Sequence, residues 1–265
     1  MTASNAPSVA LFLICSPVLN VPYLSSLIGL YRPKSEYAAA QLTRSRGPDR
    51  YRWIVTRSRS APEAPPRQLT ARGLATRARI VDAAADLMYV KGVNATTLDD
   101  VRAASSTSKS QLYQHFADKD QLVRAVVSRR AGQVLEREQG YLERLRSFRG
   151  LQRWRDALVQ RNALQNGAYG CALGSMASEL SDQDDEARRT LAEAFAEWTG
   201  LIAAGLRRMQ DGGSLSKSAD PDKLAVGLMA ALQGGYLLAE TQHDITPMET
   251  ALDMALDHIR SFLTK

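Results

Sequence analysis

The sequence predicts an all-α fold with a small N-terminal helical domain and a larger C-terminal helical domain. From Thr76 onwards, apolar residues recur every three or four positions over long stretches, which is the period of an amphipathic helix. Glycine, proline and short polar runs separate these stretches, as helix ends require. Within residues 96–119, two short helical patterns meet at a tight polar turn. We therefore expect three segments, at residues 1–70, 71–130 and 131–265.

The first segment, residues 1–70, precedes the helical pattern. Val9–Leu30 carries no charged side chain and is long enough in principle to cross a bilayer, but two prolines and an asparagine interrupt it. Residues 32–70 are rich in arginine, serine and proline, a composition typical of disorder. We expect a disordered extension, or one translated from a start codon assigned too far upstream. Association with a membrane is not expected.

The first helix is predicted at Thr76–Lys91, and Gly92 follows it as a C-cap. Its core stripe consists of apolar side chains at helical spacing: Ile80, Ala84, Leu87 and Met88.

Two short helices follow. Thr97 can cap the first of them, in which Leu98, Val101 and Ala104 are predicted to share one buried face. Poor helix formers at 105–107 then break the pattern.

Ser108 is predicted to cap the second short helix, Lys109–Phe116. Leu112 and Phe116 lie four residues apart and are predicted to face a small core. The opposite face carries hydrogen-bonding side chains and no acid: Lys109, Ser110, Gln111, Tyr113 and Gln114.

Such a face is suited to a DNA major groove, where lysine pairs with guanine and glutamine with adenine. Tyr113, His115 and Lys119 are of the types that hold phosphates and fix docking register. A helix pair with a short turn, the second helix entering the groove, is the helix-turn-helix arrangement. The alternative is an ordinary amphipathic helix pair with a polar surface. Three arginines at the start of the first helix also suit phosphate or minor-groove contact, or belong equally well to an ordinary solvated basic face: Arg72, Arg77 and Arg79.

The distribution of charge supports this interpretation. Residues 31–70 carry nine Lys and Arg against three Asp and Glu, and residues 71–130 carry ten against six. Residues 131–265 carry fifteen against nineteen and are therefore mildly acidic. The positive charge thus lies with the predicted DNA-binding segment and the residues before it, as binding to phosphate requires.

The remaining helices are longer. We expect them at Asp118 to Leu145, Leu151 to Asn166, Cys171 to Leu180, Asp184 to Gln210, Asp220 to about His243, and from Thr246 to near the chain end. The last two carry so many apolar positions that a four-helix dimer interface with their copies is expected, in preference to a purely intramolecular core.

Residues 76–125 resemble the N-terminal domain of TetR-type transcriptional regulators. The most specific match is the run Leu112-Tyr113-x-His115-Phe116-x-x-Lys119-x-x-Leu122. The resemblance implies a homodimeric, all-helical protein that binds a double-stranded DNA operator and whose C-terminal domain binds a small-molecule effector. It also implies base or nearby phosphate contacts for Lys109, Ser110, Gln111 and Tyr113, and phosphate contacts for Thr97, Ser108, His115 and Lys119.

Two features depart from the family pattern. The family usually has Ala-Gly-Val where this chain has Ser105-Ser106-Thr107, and often glycine at the position of Ser110. Serine in a left-handed turn conformation costs on the order of 1 kcal/mol relative to glycine. Thr107 stands where an apolar side chain is expected in the turn.

The segment Gly170–Gln183, with the long helices after it, looks like a subgroup of lincomycin-resistance repressors and their flavonoid-responsive relatives. This likeness implies an apolar or aromatic effector and a repressor that leaves a palindromic operator when the effector binds. Methionine and aromatic side chains make adaptable apolar pockets, although such residues also occur in ordinary cores. The candidate ligand-binding residues are Trp154, Tyr169, Cys171, Met176, Phe195, Trp198, Met229, Gln233 and Tyr236.

Two other hypotheses remain at this stage. One is a ligand-binding helical dimer with a degenerate DNA reader, suggested by the altered turn. The other is an enzyme with Cys171 or Ser175 as nucleophile, although no histidine or acid lies at an activating spacing. Two cysteines and three histidines without ligand spacing predict no metal site, no cofactor and no disulfide, and fit the cytoplasm.

Overall fold

A computed structural model describes residues 69–165 and 167–264. The predictions made for residues 1–68, including the apolar run Val9–Leu30, lie outside the described residues. The described part is all-helical, with nine α-helices in the order α1 Ala71–Lys91, α2 Leu98–Ala104, α3 Lys109–His115, α4 Lys119–Leu142, α5 Phe148–Ala163, α6 Ala172–Leu180, α7 Asp185–Asp211, α8 Pro221–Gln242 and α9 Thr246–Arg260.

The N-terminal helices form a small head around α1. α1 packs on α2 and on α4, and the buried side chains between them include Ile80, Val101, Leu112 and Phe116. All four are at most 1% exposed. Burial of these apolar groups fixes the angle between the short helices α2 and α3, which are too short to be stable alone.

The larger helical body comprises α4 to α9. α4 packs on α7, α7 on α8, and α8 on α9. In addition, α5 packs on α9, and α6 packs on α7. α8 and α9 approach closely at Gly235, where a Cβ atom would lie 2.9 Å from the Met248 Cα. This glycine therefore serves helix packing. The predicted limit at residue 130 falls inside α4, which packs on both α1 and α7.

By length and composition alone, α8 is long and apolar enough to cross a membrane. Its buried residues, among them Leu228 and Leu232, pack in the helical core. Three other large apolar side chains of α8 are exposed on this single chain, namely Val226, Leu237 and Leu238. Met254 of α9 is exposed as well.

Several predicted helix ends differ from the structure. α1 begins at Ala71 because Thr70 caps it by accepting the Gly73 N–H, whereas the apolar pattern starts later. α3 ends at His115, since Phe116 is extended, and α4 and α5 end at Leu142 and Ala163.

The prediction that Ala104 shares the buried face of α2 is wrong, because it is exposed. Ser105 is buried instead, at 1% exposure. A helix turns about 100° per residue, so the position four residues after Val101 lies nearer its face than the position three after it.

The turn between α2 and α3 contains the expected strain. Ser106 has φ 51°, a left-handed conformation that glycine adopts freely and serine does not. The flanking residues of the turn are buried and polar, and their hydroxyls bond each other, with Ser105 Oγ 2.8 Å from Thr107 Oγ1. The apolar contact expected at Thr107 is thus replaced by a satisfied pair of hydroxyls.

We expect Ser106→Gly to raise the free energy of unfolding by about 1 kcal/mol, because it removes the left-handed strain. Urea denaturation measures this. The matched control is Ser110→Gly in α3, where added backbone freedom destabilises a helix by up to about 0.5 kcal/mol. A loss of stability in Ser106→Gly would contradict the assigned strain.

Candidate nucleic-acid interface and ligand cavities

Reciprocal caps fix the start of α2. The Thr97 hydroxyl accepts the Asp100 N–H at 3.1 Å and donates to Asp100 Oδ2 at 2.8 Å. Hydrogen bonds from Thr97, together with Lys91, lower the pKa of Asp100. The Thr97 side chain therefore has a structural role already, and its predicted phosphate contact stays a prediction.

A second capping box fixes the start of α3. Ser108 Oγ accepts the Gln111 N–H at 3.2 Å, and Gln111 Oε1 accepts the Ser108 N–H at 2.9 Å. This arrangement satisfies two backbone donors at the helix start. It engages the Gln111 carbonyl oxygen and leaves the amide NH2 group exposed for contact with another molecule.

Two arginines of α1 support the helix pair. Arg79 donates from Nε to the Ser105 carbonyl at 3.0 Å, and the Arg77 guanidinium lies 5.0 Å from the Phe116 ring centroid. Both therefore hold the turn and α3 in place within the head, a use that the sequence did not indicate.

The outward side of α3 is open. Seven of the nine predicted DNA-binding residues are exposed, and His115 and Lys119 are half-buried. Thr97 and Ser108 cap the two short helices, and the other five exposed residues lie on α3: Lys109, Ser110, Gln111, Tyr113 and Gln114. Lys119 Nζ donates to the Asn94 carbonyl at 3.2 Å. Arg102 of α2, which sequence reasoning missed, lies in the same shallow groove as Tyr113.

The structure contains a polar cavity of about 230 Å³ in the body, here called the arginine cavity. It lies among α1, α4, α5, α6, α7 and α8. Three arginines line it together with aromatic and amide side chains: Tyr89, Arg130, Gln133, Val134, Arg137, Arg161, Asn162, Gln165, Gly170, Cys171, Ala172, Trp198 and Tyr236.

A fully buried carboxylate beside this cavity organises the arginines. Glu138 Oε1 accepts from Arg137 Nε at 2.9 Å and from Arg161 Nη1 at 3.3 Å. Its other oxygen accepts from Trp154 Nε1 at 2.8 Å. An unpaired buried carboxylate would be strongly destabilising, so the positions of these three donors are fixed by the need to pair Glu138.

A second hollow of about 390 Å³, here called the apolar cavity, adjoins the first. The two share Cys171 and Tyr236 as walls. The other lining residues of the apolar cavity come from α6, α7 and α8: Gly174, Ser175, Ala177, Ser178, Phe195, Gln233, Gly234, Leu237 and Glu240.

The structure brings five of the nine predicted ligand-binding residues to these two cavities: Cys171, Phe195, Trp198, Gln233 and Tyr236. Trp154 lies behind the arginine cavity, bonded to Glu138. Tyr169 is 37% exposed and packs on Tyr89 with 5.5 Å between ring centroids. Met176 and Met229 are buried among core side chains.

Sequence reasoning missed the polar half of the arginine cavity. Arg130, Gln133 and Arg137 follow one another at spacings of three and four on α4, which places them on one helical face. That spacing shows from the sequence that the three side chains share one face of α4. It does not show that this face lines a cavity, because charged residues on a long helix usually face solvent.

Burial raises the pKa of the Cys171 thiol and of the Tyr89 and Tyr236 phenols, so all three are neutral at physiological pH. The charges on the arginine cavity are therefore those of the guanidiniums and of Glu138.

Helix α6 links the cavities to the head. Its N-cap residue Cys171 and its first residue Ala172 line the arginine cavity. Near its other end, the Glu179 carboxylate accepts the Val93 and Asn94 N–H groups, each at 2.9 Å. These amides belong to the turn between α1 and α2, so a rigid helix connects a cavity wall to the base of the head.

Two family models match this chain. The first, bacterial regulatory proteins of the tetR family, matches residues 80–126. The second, the tetracyclin repressor-like C-terminal domain, matches residues 142–255. Together they span most of the part that the structure describes. The chain belongs to the TetR family of transcriptional regulators.

Relatives of this TetR-family chain agree. An uncharacterized HTH-type transcriptional regulator of Lactococcus lactis is 28% identical over 187 residues, covering 68% of this chain and 90% of the relative. The HTH-type transcriptional repressor DhaR of a Mycobacterium species is 25% identical, with 68% and 90% covered. The HTH-type transcriptional regulator LmrA of Bacillus subtilis is 26% identical, with 65% and 90% covered.

Solved structures show the same fold. The TetR transcriptional regulator from Chloroflexus aurantiacus superposes with a TM-score of 0.65 at 26% identity, covering 73% of this chain and 98% of that one. Membership of this family makes the protein a helix-turn-helix DNA-binding regulator. The enzyme hypothesis with Cys171 or Ser175 as nucleophile is therefore wrong.

Proposed function

We propose that this TetR-family protein is a ligand-responsive repressor. A homodimer binds a palindromic operator in cytoplasmic DNA, and a small effector with an apolar or aromatic part releases it, as in the lincomycin-resistance-like subgroup. The observation that carries this proposal is the position of α6, which lines both cavities and holds the head through Glu179.

The proposed release follows from that connection. An effector between α4 and α8 displaces the cavity end of α6, and the Glu179 hydrogen bonds transmit the movement to the α1–α2 turn. Tyr89 of α1 also lines the arginine cavity, so the head has a second contact with the effector site. A tilt of each head changes the spacing of the two α3 helices on the operator, which lowers affinity.

The DNA contact is assigned to the exposed side of α3. Lys109, Gln111 and Tyr113 would reach base edges or nearby phosphates, with Thr97, Ser108, His115 and Lys119 on the backbone. The open surface, the absence of acid along α3 and the basic segment support this assignment. The segment limits 71–130 for the reader and 131–265 for the ligand-binding and dimerisation domain belong to the same proposal.

The proposed dimer uses α8 and α9. Leu237 and Met254, at 62% and 70% exposure, are large apolar side chains on this single chain. A second copy would cover them and close one side of the apolar cavity, which Leu237 lines.

A mobility shift on DNA from the protein's own upstream region tests operator binding. We expect a discrete complex that survives competitor DNA. Gln111→Glu keeps the capping box, because glutamate also serves as its acidic partner, but removes the exposed NH2 donor. We expect it to weaken the complex by about tenfold, since it removes one donor to a base edge and adds a negative charge beside the DNA phosphates.

Gln160→Glu on α5, an exposed position of the body, is the control for the added negative charge. Equal binding by Gln111→Glu and the parent would contradict the assigned face. If the parent gives only a smear that salt abolishes, the interpretation as a helical dimer with a degenerate reader takes first place.

Sedimentation equilibrium tests the dimer. We expect the parent to be dimeric at micromolar concentration and Leu237→Glu to be monomeric, because two carboxylates would be buried at the interface. Leu164→Glu, at a position 82% exposed beyond the end of α5, should remain dimeric. A monomeric parent would refute the interface.

A further inference from the structure

The arginine cavity presents more hydrogen-bond donors than its own residues use. A guanidinium has five N–H donors, and Arg137 and Arg161 each give one to Glu138. No other acceptor for these two side chains lies within bonding distance among residues 69–165 and 167–264. Their side chains are 42% and 32% exposed, which leaves the remaining donors accessible to a ligand.

Among the described residues that line the arginine cavity, two further donors and one acceptor, Asn162 Oδ1, are buried without a partner. Trp198 is 1% exposed and lines the cavity, and its Nε1 has no partner. Arg130 Nε is likewise buried and unpartnered, although the rest of this guanidinium bonds Asp86 and Gln133. A buried donor without a partner costs free energy, so an acceptor-rich ligand would restore what folding left unpaired.

The start of α6 adds backbone donors at the same place. Cys171 is its N-cap residue and makes no side-chain capping hydrogen bond. Within the described chain, the only side-chain atom at the first N–H groups of this helix is the Cys171 sulfur, a weak acceptor beside the Leu173 and Gly174 N–H groups, and the helix dipole favours negative charge there.

Three guanidiniums line the cavity, and the two carboxylates that bond them are Glu138 and Asp86. The Asp86 side chain is 81% exposed, so that solvent screens its charge. A third carboxylate, Glu240, lines the neighbouring apolar cavity and also lies against Gly170, which lines the arginine cavity.

We propose that the arginine cavity binds the carboxylate of a small organic acid, whose aromatic or apolar part lies in the apolar cavity beyond Cys171 and Tyr236. This inference rests on the proposed function in one respect, that the acid is the effector. An uncharged ligand such as an amide offers these donors one acceptor oxygen and no negative charge to pair with the guanidiniums. A carboxylate offers two oxygens that accept from several donors at once.

The experiment uses the full chain and two pairs of probes, benzoate with benzamide and cinnamate with cinnamamide. Each pair differs in charge but hardly in shape. Tryptophan fluorescence reports binding, since Trp198 lines the cavity. We expect at least one acid to bind about tenfold tighter than its amide, because charge-assisted hydrogen bonds are stronger than neutral ones.

Arg161→Met should abolish this preference for the acid. Arg153→Met on the same helix, at an exposed position outside the cavity, should retain it. If Arg161→Met does not fold, Trp198→Phe with thermal-shift detection is the second variant, and it should weaken acid binding more than amide binding, because the lost hydrogen bond is stronger to a carboxylate. Equal binding of acids and amides, or no binding of either acid at millimolar concentration, would overturn the proposal.

A mobility shift with the same probes separates this inference from the proposed function. Tight acid binding without release of DNA would leave the anion site standing and refute the acid as effector. Release by neutral aromatic compounds, with no acid preference in binding, would leave the ligand-responsive repressor standing and refute the anion site.

Discussion

One pair of hydrogen bonds joins α6 to the head: the Glu179 carboxylate accepts the Val93 and Asn94 N–H groups. These bonds tie the last turn of α6 to the turn that carries α2. Hydrogen bonds to a charged group contribute about 1.5–3 kcal/mol each when they are shielded, and less when half-exposed as here. Without them, α6 could move at the cavity without moving the head, and the head would be held to the body through α1 and α4 alone.

The composition of the cavity follows from a second constraint, the need to pair Glu138 inside a helical body. Its carboxylate holds Arg137, Arg161 and Trp154, and so brings two guanidiniums to the wall that Arg130 also lines. The wall shared with the apolar cavity is formed by Cys171 at the start of α6 and Tyr236 of α8, which stay neutral because burial raises the pKa of each. The result is a site with a charged half and an apolar half, and this division underlies the proposed chemistry of the effector.

Much of this was predictable from sequence, for physical reasons that differ from residue to residue. The helices, the caps Thr97 and Ser108 and the buried Leu112 and Phe116 follow from local spacing and capping, so the sequence predicted them correctly. The cavities depend on which helices meet in space. Local spacing therefore could not show that Trp154 and Met229 lie outside these two cavities, or that Arg130 lines one of them. The strain at Ser106 was foreseen, but the hydroxyl pair that stabilises its turn needed coordinates.

Hydrogen exchange measured by mass spectrometry on the free protein and on its DNA complex tests the central claim without knowledge of the effector. Coupling between two sites is reciprocal, so DNA bound at the head must alter the cavity if α6 links them. We predict that DNA changes exchange at the start of α6, residues 171–174, and that Glu179→Ala loses this change while still folding. Glu193→Ala, an exposed acid on α7, should behave as the parent. Unchanged exchange at residues 171–174 in a saturated parent complex would contradict the account.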